Sequence, residues 1–170
     1  AGSNNAWTAT EHTCFFFDIH NVHFPEALNR FGQFFSAPLL SEAFVNNERK
    51  NVDAEFELKL KDDIRRLYDV HKETINQEHP FAKFSVGNLD TLADRDGKSI
   101  RTELLAFYQQ YYCAQYMTLA LEGPQSIEVL TQLAQVNFCD IRSTTADLPA
   151  IETPLYLPEH QGIYIRVKPV

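Results

Sequence analysis

Glu48-Arg49-Lys50-Asn51-Val52-Asp53-Ala54-Glu55-Phe56-Glu57 is the stretch on which the reading of this chain turns. It lies in a helical run that opens at Ser41 and is expected to reach Val70. Glu48 and Glu55 are seven residues apart, so on a helix they share one face, with Val52 between them and Phe44 a turn earlier. Burying a carboxylate costs on the order of several kcal/mol unless it is paired or bound to a metal. Two readings of the spacing follow. Either the carboxylates serve a metal site, or the face is solvated and Arg49 and Lys59 pair with them.

Upstream, Trp7 to His20 reads as a strand that ends in the apolar run Cys14–Asp18. Phe24, Ala27, Leu28, Phe31, Phe34 and Phe35 recur at helical spacing, with Pro25 suited to a first turn and Pro38 closing the helix. Downstream, Thr74–Pro80 is a turn region and Ser85–Ser99 a loop. Ile100, Leu104, Phe107, Tyr108 and Tyr111 mark a helix, Tyr116–Leu121 a strand ended by Gly123-Pro124, and Ser126–Phe138 a helix. Ser143–Pro158 holds three prolines and reads as a linker. Ile163, Ile165 and Val167 alternate with Tyr164, Arg166 and Lys168 as in a half-buried strand. Strands mix with long helices without regular βαβ alternation, so the expected class is α+β, a mixed or antiparallel sheet packed by long helices. The expected organisation is a core over residues 1–142, a linker over 143–158 and an outgoing strand over 159–170.

A length of 170 residues suits one domain with a real core. Net charge is −8, which disfavours a nucleic-acid partner because phosphate contacts need clustered Lys and Arg. No apolar run approaches the ~20 residues of a membrane span, so no membrane partner is expected. Cys14, Cys113 and Cys139 are odd in number and lack C-x-x-C spacing, which argues against a disulfide framework or a cysteine zinc site. His20-x-x-His23 with Glu26 imitates a metal pattern, but Pro25 makes a continuous helix through it unfavourable. No start Met and no signal-like apolar stretch open the chain, so Ala1 is read as lying inside a longer protein.

Asn5-Ala6-Trp7-Thr8, Glu11-His12-Thr13, Phe31 to Leu40, Val52-Asp53-Ala54-Glu55, His79-Pro80-Phe81-Ala82-Lys83-Phe84, Gly87-Asn88 and Tyr111-Tyr112 fall in one order and at spacings that resemble the pitrilysin/insulin-degrading-enzyme family of inverted zinc peptidases. The resemblance covers nearly the whole chain. In that family an H-x-x-E-H helix supplies two His ligands and a general base, and a Glu on a later helix supplies the third zinc ligand. Glu55 matches that later Glu. The resemblance implies that Glu48 supports the site from behind the ligands and that Asn5, Ala6, Trp7 and Thr8 line the substrate. There an extended peptide would add to the edge of the sheet through main-chain hydrogen bonds.

H-x-x-E-H itself does not occur in residues 1–170. The residues three before the Glu of Glu11-His12, Glu78-His79 and Glu159-His160 are Thr8, Ile75 and Tyr156. The family places the motif before the segment that starts at Gly2. The chain is therefore expected to be an incomplete first catalytic domain of a zinc metalloendopeptidase, inactive by itself and holding no zinc alone. Its expected partners are a peptide substrate and the remaining domains of its parent. The expected compartment is the periplasm, with the cytoplasm as alternative. The uncovered apolar surface around Phe15, Phe17, Phe44 and Val52, with the free edge at Gly2–Thr8, is expected to make the chain self-associate. The rival reading is a non-catalytic scaffold or peptide-binding domain of the same fold.

Overall fold

The computed structural model describes residues 2–83 and 85–168. Among them the regular structure is two strands, β1 (Gly2–Thr8) and β2 (Thr13–Ile19), and five α-helices, α1 (Phe24–Ser36), α2 (Glu42–Lys59), α3 (Asp63–Glu73), α4 (Ile100–Tyr111) and α5 (Ile127–Phe138), with short 3-10 turns between them. The chain divides into two units, Ala1–Leu39 with Leu105–Asp147, and Leu40–Leu104 with Leu148–Val170.

In the first unit β1 and β2 form an antiparallel hairpin, from Gly2 opposite Ile19 to Thr8 opposite Thr13. The side-chain period of two sorts β2: Phe15, Phe17 and Ile19 are half-buried, while Phe16 and Asp18 are exposed. Phe15 meets Phe34 and Phe35 of α1 at ring distances of 5.1 and 5.4 Å, and Phe17 meets Phe31 at 5.0 Å, largely edge to face. Leu28 of α1 is fully buried. α1 and α5 pack together, and Asn29 Nδ2 donates to Asn137 Oδ1 (3.0 Å). The Tyr108 hydroxyl donates to the carbonyls of Phe35 and Ser36 (2.7 and 3.0 Å), which the end of α1 leaves without helical partners.

The second unit rests on Val45, Lys72, Ile75 and Asn76, all buried. Lys72 is held by a carbonyl and two aromatic rings. Its Nζ donates to the Lys83 carbonyl (2.8 Å) and stands 5.1 and 4.8 Å from the ring centres of Tyr68 and Phe81. Asn76 binds the later chain twice, its N–H to Leu155 O and its Nδ2 to Pro154 O (3.1 and 2.8 Å). His71 Nε2 lies 2.7 Å from the Tyr156 hydroxyl.

Four local expectations differ from the structure. Trp7–His20 is not one strand: the chain turns between Thr8 and Thr13, where Ala9 N–H donates to His12 O (2.8 Å). The helix from Ser41 does not run to Val70. Asp62 accepts the Arg65 N–H (2.8 Å) and starts α3, because a short acid side chain caps a new helix better than it continues an old one. The strand expected at Tyr116–Leu121 is absent: Tyr116 closes a 3-10 turn, and 117–122 join no ladder among the described residues. Residues 163–168 likewise join no ladder among the described residues. Alternation alone does not make a strand without an edge to pair with.

Candidate functional site

Two surfaces carry the residues singled out in the sequence, one in each unit. In the first unit, all seven residues of β1 are exposed. One edge of β1 pairs with β2, and among the described residues the sheet has no third strand. Asn5 Oδ1 accepts the Ala6 N–H (2.8 Å), and Ser3 Oγ donates to the Asp18 carboxylate. Trp7 is 50% exposed and lies 5.4 Å from the Phe16 ring on the hairpin face turned away from α1. Ala6, Trp7 and Thr8 line a groove of about 340 Å³ with Thr13, Phe15, Phe107 and Tyr112. Burial raises the Tyr112 hydroxyl above its ordinary value. Asn5 lines a second groove, of about 710 Å³, between the hairpin and α1.

In the second unit, α2 turns Val45, Arg49, Val52, Asp53, Phe56 and Lys59 inward and Phe44, Glu48, Asn51, Glu55 and Leu58 outward. The expected grouping is corrected here: Phe44 shares the outward face with both carboxylates, and Val52 does not. Phe44 and Leu58 are 77% and 83% exposed. Neither carboxylate is buried. Asn51 Nδ2 donates to Glu48 Oε2 (3.0 Å), and Lys59 Nζ lies 3.5 Å from Glu55 Oε2, whose side chain is 64% exposed. The Lys59 pairing expected of a solvated face is present. Arg49 instead donates to Asn46 Oδ1 (3.2 Å). A surface pair of this kind is worth about 0.3–0.5 kcal/mol.

A catalytic zinc takes three protein ligands. Among the described residues no group of three or more His, Cys, Asp or Glu is placed to hold a metal ion. His20 and His23 fall in and beside a 3-10 turn, and Glu26 pairs with Arg30 (2.6 Å). Glu55 suits the part of one donor: it is solvent-facing on a regular helix and its salt bridge is easily exchanged. The spacing did not reveal Asp53, whose Oδ1 accepts the Leu89 N–H (2.9 Å) across 36 residues of sequence. The polar run after Gly87 signalled a loop and nothing of this anchor.

The fold of these strands and helices matches that of part of pitrilysin. Superposition on the crystal structure of pitrilysin gives a TM-score of 0.90 at 32% identity, covering 95% of this chain and 17% of that one. Residues 1–83 match the family model for Insulinase (Peptidase family M16). The chain is 36% identical over 172 residues to the A-factor-processing enzyme of Saccharomyces cerevisiae, covering 99% of this chain and 17% of that protein. It is 36% identical over 173 residues to the insulin-degrading enzyme of Homo sapiens, covering 100% and 17%. It is 32% identical over 168 residues to protease 3 of Salmonella typhimurium, covering 99% and 18%. By these likenesses the chain resembles the M16 insulinase family of peptidases. It spans less than a fifth of the length of these relatives.

Proposed function

We propose that the protein to which these residues belong is a zinc metalloendopeptidase of the pitrilysin type, and that residues 1–170 supply one metal-ligating carboxylate and the strand that receives the peptide. The observation that carries this is the outward stripe of α2. Two large apolar side chains, Phe44 and Leu58, flank Glu48 and Glu55 in the open. A merely solvated face has no use for them, and a face against which another element packs does.

In this reading Glu55 is one zinc ligand, and Glu48, held by Asn51, orients the site. The remaining ligands and the general base come from an H-x-x-E-H segment outside residues 1–170. Bound zinc supplies Lewis-acid polarisation of the scissile carbonyl and an activated water. β1 takes up the substrate as an added strand. Main-chain groups of Asn5, Ala6, Trp7 and Thr8 hold an extended peptide with little regard to its sequence. The Asn5 side chain must leave the Ala6 N–H if that donor is to serve a substrate. The division into core (1–142), linker (143–158) and outgoing strand (159–170) belongs to the same reading, in which the strand finds its partner in a following domain.

Without the other ligands and the base, residues 1–170 alone cleave nothing. The test is chelator-sensitive cleavage of an unstructured peptide, which the intact protein should show and the 170-residue chain should not. Activity from the chain alone would overturn the proposal. The periplasm is the proposed compartment, with the cytoplasm as alternative, and cell fractionation separates them. No helix among the described residues is long and apolar enough to cross a membrane.

A further inference from the structure

We infer that Asp53 is a positioning residue that sets the rotation of α2 and thereby the direction in which Glu48 and Glu55 point. This rests on the reading of Glu55 as a metal ligand. Asp53 is half-buried on the inward side of α2, two residues before Glu55 on the outward side. At about 100° per residue the two side chains leave the helix in nearly opposite directions.

The partner of Asp53 is a built element. Asn88 opens a helix-like turn: its Oδ1 accepts the Thr91 N–H (2.8 Å), and its carbonyl accepts the Leu92 N–H (3.0 Å). Thr91 Oγ1 returns a bond by accepting the Asn88 N–H (2.8 Å). Arg95 Nη2 closes the far side on Asp90 O (2.8 Å). Leu89 is the first residue of this turn, so its N–H has no acceptor within it. The Asp53 carboxylate takes that N–H at 2.9 Å. A braced loop thus grips the helix on one side and fixes what it presents on the other. A side chain reaches ~5–6 Å from the helix axis, so a rotation of ~10° would move the Glu55 carboxylate by about 1 Å. Metal ligation and catalysis are sensitive to displacements of that size.

The experiment uses the intact protein containing residues 1–170, with amide exchange at Leu89 and zinc affinity measured against a chelating dye. Asp53→Ala should speed Leu89 exchange roughly tenfold or more and weaken zinc roughly 10–100-fold. Asp53→Asn keeps an Oδ1 acceptor and should stay near wild type in both. Leu89→Pro removes the donor while leaving Asp53 in place, at a first-turn position that tolerates proline, and should weaken zinc as Asp53→Ala does. Faster Leu89 exchange with unchanged zinc affinity in Asp53→Ala, while Glu55→Gln loses zinc, would make Asp53 a loop anchor and nothing more. Unchanged zinc affinity in Glu55→Gln would instead remove the ligand reading on which the inference stands.

Discussion

A Cβ placed on Gly32 would lie 2.1 Å from the carbonyl oxygen of Asn137, so α1 and α5 meet at a distance only glycine allows. The obstacle is backbone, which cannot swing aside as a side chain would. Gly32→Ala should therefore push the two helices apart, strain the Asn29–Asn137 bond and destabilise the first unit by about 1–3 kcal/mol, as overpacking does. Chemical denaturation checks this. An unchanged midpoint would mean that the helices separate at no cost.

Tyr108 ties α4 to the end of α1 through two carbonyls. Tyr108→Phe should cost roughly 0.5–1.5 kcal/mol near neutral pH. Burial raises the Tyr108 hydroxyl above its ordinary value, Arg142 opposes the rise and Cys113 adds to it. A raised value means that folding favours the neutral phenol. The stabilisation is full below about pH 10, where the unfolded tyrosine titrates, and falls as pH rises through the folded value. Urea midpoints at pH 8 and at pH 10.5 should differ less in Tyr108→Phe than in wild type. Equal alkaline losses in both proteins would take Tyr108 out of the account.

The isolated 170-residue chain should self-associate at micromolar concentration. β1 offers an edge without a second partner among the described residues, and α2 exposes Phe44 and Leu58. Of the four side chains expected to be uncovered, Phe44 is exposed, while Phe15, Phe17 and Val52 are half-buried. Ala6→Pro, which removes an N–H from β1, and Phe44→Asp, which charges the α2 face, should each reduce light scattering. A clean monomer in the unsubstituted chain would contradict the placement of both uncovered surfaces.

What could be read beforehand divides along physical lines. α1 and α5 were legible because Phe24 to Phe35 repeat with the helical period and Ser126 caps its helix, accepting the Val129 N–H (3.4 Å). The hairpin turn was not, because Ala9-Thr10-Glu11-His12 has no Gly, Pro or Asn to announce it. Asp62-Asp63 did carry a cap signal, but the helix formers on both sides masked it. Residues 117–122 and 163–168 have the alternation of strands, and pairing depends on a neighbour that local pattern does not reveal. For the site, the helical period put Glu48 and Glu55 on one face. Only tertiary packing decided that this face looks outward, and that Asp53, on the opposite side, meets a loop 36 residues on.

Zinc content is the most direct test of the claim that Glu55 is a metal ligand. Intact wild-type protein should carry close to one zinc per chain, Glu48→Gln should bind it roughly 10–100-fold more weakly, and the separate 170-residue chain should carry none. Folded Glu55→Gln in the intact protein should lose the metal. Stoichiometric zinc retained in Glu55→Gln, or held by the separate chain, would show that a different ligand set binds the metal and would contradict the account.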